Sequence, residues 1–581
     1  MPANRIAQPV YASLVATGLI GLLLTSPGRC AQAAAAVGDG RSPEAPREFV
    51  DTRYVPAAGH TVQVPAGANL QAAVDKAQPG DTLILQAGAV YTGPITLKPK
   101  QGNGWITLES SDLRQLPRQG TRVSPSDAAH MPKVEASYES VIRTAPGAGH
   151  YRLVGLEVRP GPPRVGAAQK ALDWVQGGRQ AATGPKSAFL ENLMVFGSSA
   201  NQTLDSLPDH IIVDRCYLHG DPEIGARRGV AMNARYGAVV DSYIADIKKA
   251  GEDAQAISTW NGPGPFKIVD DYLEAAGENV MFGGQDPSIK DLVPSDIEVR
   301  GNHFAKKLAW KKGETGYQGT NWQVKNIFEL KNAQRVLVEG NLFEYNWAEA
   351  QNGYSILFTV RDQDGGAPWS VVQDVTFKDN VVRHVANGIN ILGQDDIHQS
   401  QQAKRILIAN NLFEDVGGPW GNGNLLQMDN GSADVTFTHN TALQTGTLVY
   451  GDGKPDSGFS YTNNIALQNQ YGMIGTNHAP GLSSINAFFP GAELQRNAIV
   501  GANSSLYPSD NFFPHSLAAV GFVGADGHNY RLTPSSAYKA KADDGSDIGV
   551  NVDQLCKSMD QYGEHLSAQV PSCASNTVAM H

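Results

Sequence analysis

The sequence predicts an all-β chain wound as a parallel solenoid, and three observations predict it. A short unit recurs nine times: apolar residues in alternation, a small polar residue, then an aromatic or aliphatic pair. The polar residues stand 26, 29, 31, 39, 39, 31, 29 and 24 residues apart, which suits coils of short strands and variable loops better than a helical array. Within each unit the apolar period is two, the period of a strand with one buried face.

The units are VDRCYL (213–218), VVDSYI (239–244), IVDDYL (268–273), VRGNHF (299–304), VEGNLF (338–343), FKDNVV (377–382), IANNLF (408–413), FTHNTA (437–442) and YTNNIA (461–466). Their shared polar position is Cys216, Ser242 and Asp271, then Asn302, Asn341, Asn380, Asn411, Asn440 and Asn464. Consecutive asparagines in stacked coils predict a ladder, each amide bonding the next and the turn backbone.

Residues 1–36 read as a signal peptide. Arg5 supplies the positive region, VYASLVATGLIGLLLT (10–25) the apolar core, and AQAAAA (31–36) the cleavage site. No second apolar run of membrane-spanning length follows, so the expectation is a secreted or periplasmic monomer without stable membrane insertion. Residues 37–58 are expected to be a flexible N-terminal segment, 59–550 the solenoid and 551–581 a C-terminal tail. Cys216 falls in a strand pattern, whereas Cys556 and Cys573 lie in the polar tail, seventeen apart and able to pair in an oxidising compartment. No cysteine spacing suits zinc, and a formal charge of −11 argues against nucleic acid as partner.

The segment VPAGANLQAAVDKAQPGDTLILQAGAVYTGPITL (64–97) reads as a short amphipathic helix, closed by Pro79-Gly80, and then strands. A helix there is expected to cap the first coil. Together with the asparagine-bearing coils and NYRLTPSSAYKAKADDGSDIG (529–549), it resembles the secreted right-handed parallel β-helix proteins of the pectate-lyase-like superfamily. The resemblance spans roughly residues 60–550 and implies a single-domain right-handed parallel β-helix with an N-terminal capping helix and long central loops. It says less about activity, because this fold carries lyases, hydrolases, epimerases and adhesive shafts.

The two longest coils run from Asn302 to Asn341 and from Asn341 to Asn380. Their inserts are expected to wall a groove. Trp310, Trp322, Trp347 and Trp369 fall there, with Trp420 nearby, and the first four are candidate sugar platforms. Aligning NIFELKN (326–332) with YSILFTVR (354–361) puts Glu329, Lys331, Thr359 and Arg361 on the outward face, with Lys331 and Arg361 about 4.8 Å apart on adjacent coils. Gln394, Gln427 and Asp429 follow on the same face. Lys325 and the pairs Arg227-Arg228, Lys248-Lys249, Lys306-Lys307 and Lys311-Lys312 would line one edge and attract a polyanion.

These residue types suit eliminative cleavage of a uronic-acid polysaccharide. That reaction needs the substrate carboxylate neutralised, a base for the adjacent proton and an acid for the leaving oxygen. Glu329-x-Lys331 with Arg361 is similar in residue type to the chondroitinase-B and alginate-lyase enzymes, although its spacing departs from theirs. The resemblance implies Lys331 and Arg361 as base and acid, with Glu329 and Asp429 holding Ca²⁺. Two alternatives stand beside it. One is a glycoside hydrolase using Asp362, Asp364, Asp395, Asp396 or Asp429, with His384 and His398 close by in sequence. GQDD (393–396) resembles the Asp-Asp of polygalacturonase-like β-helices, but the Gly-His-Gly and Arg-x-Lys segments of that family are absent. The other is a non-catalytic polysaccharide-binding shaft, against which stand the unequal coils and the central cluster of Trp, Lys and carboxylates.

Overall fold

The computed structural model describes residues 40–56, 58–163, 187–563 and 566–574. The signal peptide expected over 1–36 lies outside these residues. Three long sheets run side by side, of fourteen, thirteen and twelve strands, with parallel pairing throughout each. We call them the first, second and third sheet in the order each coil visits them. One coil, for example, passes through Ala333–Glu339, Leu342–Asn346 and Tyr354–Thr359 before Val372–Lys378 returns beside its start. The chain is a right-handed parallel β-helix, the hand that strand twist imposes on parallel crossovers.

The nine-fold sequence unit is the corner between the first and second sheets. A residue at positive φ turns the chain, as at Gly340 (φ 68°), Asp379 (φ 55°) and Asn410 (φ 55°), and the ladder residue follows. The ladder forms as expected. The amide N–H of Asn302 donates to Asn341 Oδ1, that of Asn341 to Asn380 Oδ1 and that of Asn380 to Asn411 Oδ1, each at 2.9 Å. Side-chain amides repeat the contact and also reach strand carbonyls, as Asn341 Nδ2 does to Val299 at 2.9 Å. The ladder continues past Asn464 to Asn497 and Asn511. Inside, aromatic side chains stack coil on coil, with Phe304 and Phe343 ring centroids 4.4 Å apart.

The helix expected near the N-terminus is Leu70–Lys76, started by Asn69, whose Oδ1 accepts from the Ala72 N–H. Leu70 and Val74 enter the core. Gln71 exchanges two hydrogen bonds with the backbone of Thr96, in the end strand of the third sheet.

Two segments expected to lie outside the solenoid pack against it. Residues 44–50, within the segment expected to be flexible, lie on the first sheet. Glu44 and Arg47 donate backbone N–H groups to Asp374 and Asp296, and Val50 is buried against Ile212, Ala238 and Val240. The apolar outward residues of those strands need a cover, and Val50 supplies it. The described residues of the tail also pack on the solenoid. Helix Val552–Gln561 buries Val552, Leu555 and Met559 on Leu342, Val381 and Leu412 of the second sheet. Cys556 and Cys573 are paired, with Cα atoms 5.6 Å apart. Cys216 is free and buried, and burial pushes its thiol up to about 12.

Candidate functional site

The inserts flank the strands of the third sheet on both sides. Segments 306–327, 347–353 and 417–425 precede its central strands, and 283–294, 360–371 and 393–403 follow them. Because Phe328, Leu330, Ile356 and Phe358 point into the core, alternation turns their neighbours outward. Register then sets Met281, Glu329, Leu357, Asn390, Gln427 and Tyr450 side by side on successive strands.

Lys331 and Arg361 are close, but not in the expected manner. Leu330 pairs with Phe358, so Thr359, rather than Arg361, is one residue beyond that pair beside Lys331. Arg361 follows after the strand has ended, and its N–H donates to the Lys331 carbonyl at 2.9 Å. The side chains diverge. Lys331 Nζ lies 3.7 Å from Glu329 Oε1, whereas the Arg361 guanidinium binds Asp395 at 2.9 Å and also Asp396. Burial opposes the charge on Arg361, yet these two carboxylates hold it above its ordinary range. A guanidinium so held does not release a proton, which removes the reading of Arg361 as an acid.

The proposed calcium pair also separates. Glu329 and Asp429 stand on strands three coils apart, about 14 Å at the backbone. They cannot ligate one ion. Among the described residues, His439, Asp543 and Asp544 bring ligand atoms within 4.8 Å of one another, but His439 sits at the corner between the first and second sheets, off this face.

Three of the four predicted sugar platforms are buried. Trp310, Trp322 and Trp347 pack together with Ala276 and Val324, and the Lys248 ammonium lies 5.4 and 5.0 Å from the ring centroids of Trp310 and Trp322. Their apolar area fastens the insert to the shaft. Trp369, half-buried, donates its indole N–H to the Leu292 carbonyl on the opposite side. Lys325 points to Asp253 at 2.5 Å and Glu278 at 3.6 Å, and Gln394 accepts from Lys454 at 2.8 Å.

Beneath the face runs a polar row of which the sequence singled out only Arg228, as one of the cations expected to line an edge. Arg228 donates to Gln255, and Gln255 donates to Glu278, both at 2.7 Å. Burial, reinforced by the charges of Glu329 and Asp253, pushes Glu278 up to about 7. Burial pulls the Lys306 ammonium down to about 7, with Glu278 holding it up. The signal was a vertical one: polar residues recur at the first position of successive third-sheet strands, at Arg228, Gln255 and Glu278. Further along, burial and the charges of Asp452 and Asp396 raise Asp429 to about 6, against its bond from Gln427. Asp395 moves the other way. Burial would raise it, but the N–H groups of Ile397 and Asp362 and the Arg361 guanidinium lower it.

No family model matches the chain, and no curated protein matches it. Solved structures share its fold at low identity. A mannuronic acid specific polysaccharide family 6 lyase from human gut microbiota is 11% identical, with 78% of this chain and 91% of that one covered at a TM-score of 0.45. The catalytic unit of the GH87 alpha-1,3-glucanase from Streptomyces thermodiastaticus is 14% identical, covering 77% and 70% at 0.46. PfbA, a surface adhesin of Streptococcus pneumoniae, is 11% identical, covering 76% and 90% at 0.40. These are likenesses of fold.

Proposed function

We propose that this chain acts outside the cytoplasm on an acidic polysaccharide, and that it cleaves the polymer by β-elimination on the outward face of the third sheet. The observation that carries the reading is the meeting of Lys331 and Arg361 on adjacent coils, joined through the backbone and both partly exposed on the outward face. In this reading Arg361 meets the uronate carboxylate and spreads its charge, which acidifies the C5 proton. Lys331 takes that proton, the electron pair forms the C4–C5 double bond, and the C4–O bond breaks. The leaving oxygen takes a proton from solvent water. No step runs through calcium, because Glu329 and Asp429 do not fit one ion.

A second reading is favoured by one contrast. Asp429 is raised to about 6 while Asp395 is lowered, the split expected of an acid and a base in glycoside hydrolysis.

The test is a panel of uronic-acid polymers followed by ultraviolet absorbance of unsaturated product. Lys331→Ala and Arg361→Ala are each expected to lose about 10²–10⁴-fold in kcat/KM. Reducing sugar released without that absorbance selects the hydrolase, and binding without turnover selects a shaft.

A further inference from the structure

Lys306 opens the first of the two long coils and is 1% exposed. Five oxygens surround its Nζ. They are the carbonyls of Ala275 (3.0 Å), Ala276 (2.9 Å), Gly277 (2.7 Å) and Asn326 (2.9 Å), together with Asn279 Oδ1 (3.0 Å). Three of these are consecutive backbone carbonyls turned toward one point, between strands Tyr272–Ala275 and Glu278–Phe282. The bend is imposed locally, since a Cβ on Gly277 would stand 2.6 Å from the Ala254 carbonyl. Asn279 is held in place by its own donations to Leu273 and Ala305 at 2.7 and 2.8 Å, so its oxygen is committed to the same point.

Five converging oxygen dipoles with nothing positive between them repel one another in a dry interior. A neutral amine would offer two donors and turn a lone pair toward them, whereas an ammonium satisfies the cluster. Neutral carbonyls and an amide, with the charge of Glu278 favouring a cation among them, are the ligand set of a dehydrated monovalent cation. A divalent ion demands more carboxylate oxygen than this cluster contains. We infer that the cluster is a monovalent-cation site of potassium or ammonium size, filled in the native chain by the tethered Lys306 ammonium.

The site is coupled to the groove by direct contacts. Asn326, which closes the cage with its carbonyl, donates from Nδ2 to Glu329 Oε2 at 3.0 Å, and Glu329 faces Lys331.

Lys306→Ala empties the cage, whereas Lys306→Met fills it with an apolar chain. Thermal unfolding of the full chain at about pH 6, where the native ammonium is charged, is compared in potassium, ammonium and tetramethylammonium chloride at equal ionic strength. The expected result is a lower Tm for both variants. That of Lys306→Ala recovers saturably with potassium or ammonium but not tetramethylammonium, and neither Lys306→Met nor the native chain distinguishes the salts. Equal Tm for Lys306→Ala in all three salts overturns the inference, as does a Lys306→Ala chain that refolds in none of them.

Discussion

At the scale of single residues, the ladder shows how one polar atom changes a buried site. Each asparagine from Asn302 to Asn497 donates to a strand carbonyl and to the next ladder oxygen. Asp271 accepts from Ser242 N–H, receives no ladder donation on its other oxygen and is fully buried. Burial raises its carboxyl well above the ordinary range. Asp271→Asn supplies the missing N–H donors toward Asn302 Oδ1 and the strand before it. The expected gain is about 1 kcal/mol in denaturant unfolding. A midpoint that stays put or falls would show that the carboxyl is already satisfied.

At the scale of elements, the C-terminal helix is held by its fit over the corners. Gly340 needs its positive φ, and a Cβ there would stand 2.6 Å from the Ser558 carbonyl. Gly340→Ala therefore strains the corner and lifts the helix at once, with an expected cost of about 1–3 kcal/mol. Protease cleavage confined to the tail would accompany it; a tail as resistant as the native one counts against this packing. The disulfide closes a loop of 17 residues, so Cys556→Ser with Cys573→Ser is expected to cost about 3 kcal/mol. The same proteolysis assay reads it.

At the scale of the whole molecule, buried carboxyls set the response to pH. Burial raises Asp241, Asp456 and Glu278 to about 7 each. In the unfolded chain these groups ionise near their ordinary values, about 4. Between the two the folded state holds the extra protons, so their stabilisation is full at low pH and is lost as pH rises through about 7. Tm is expected to decline from about pH 5 to pH 7.5, and Asp456→Asn, which keeps an acceptor for Ser432, should flatten the slope. A Tm rising steadily across that window in both proteins would mean that other groups dominate.

The legibility of the chain follows the same division. The repeat could be read because each corner is specified by two adjacent residues, one that tolerates positive φ and one that ladders. Glu329 and Lys331 could be read as outward from alternation alone. The tryptophans could not, because an insert that closes a groove and one that packs onto a shaft have the same composition. Nor could the row from Arg228 to Glu278, whose members meet only across coils.

The sequence by itself determined that this chain winds, which positions form the corners and which two coils are long, since those properties are local and repeat. Tertiary structure alone decided that Lys331 and Arg361 meet through backbone while their side chains part, and that residues 44–50 and helix Val552–Gln561 pack onto the shaft. The reason is physical. Stacking register is set by the inward phenylalanines and leucines of neighbouring coils, and docking by apolar area offered from distant segments, so neither is encoded within any one repeat.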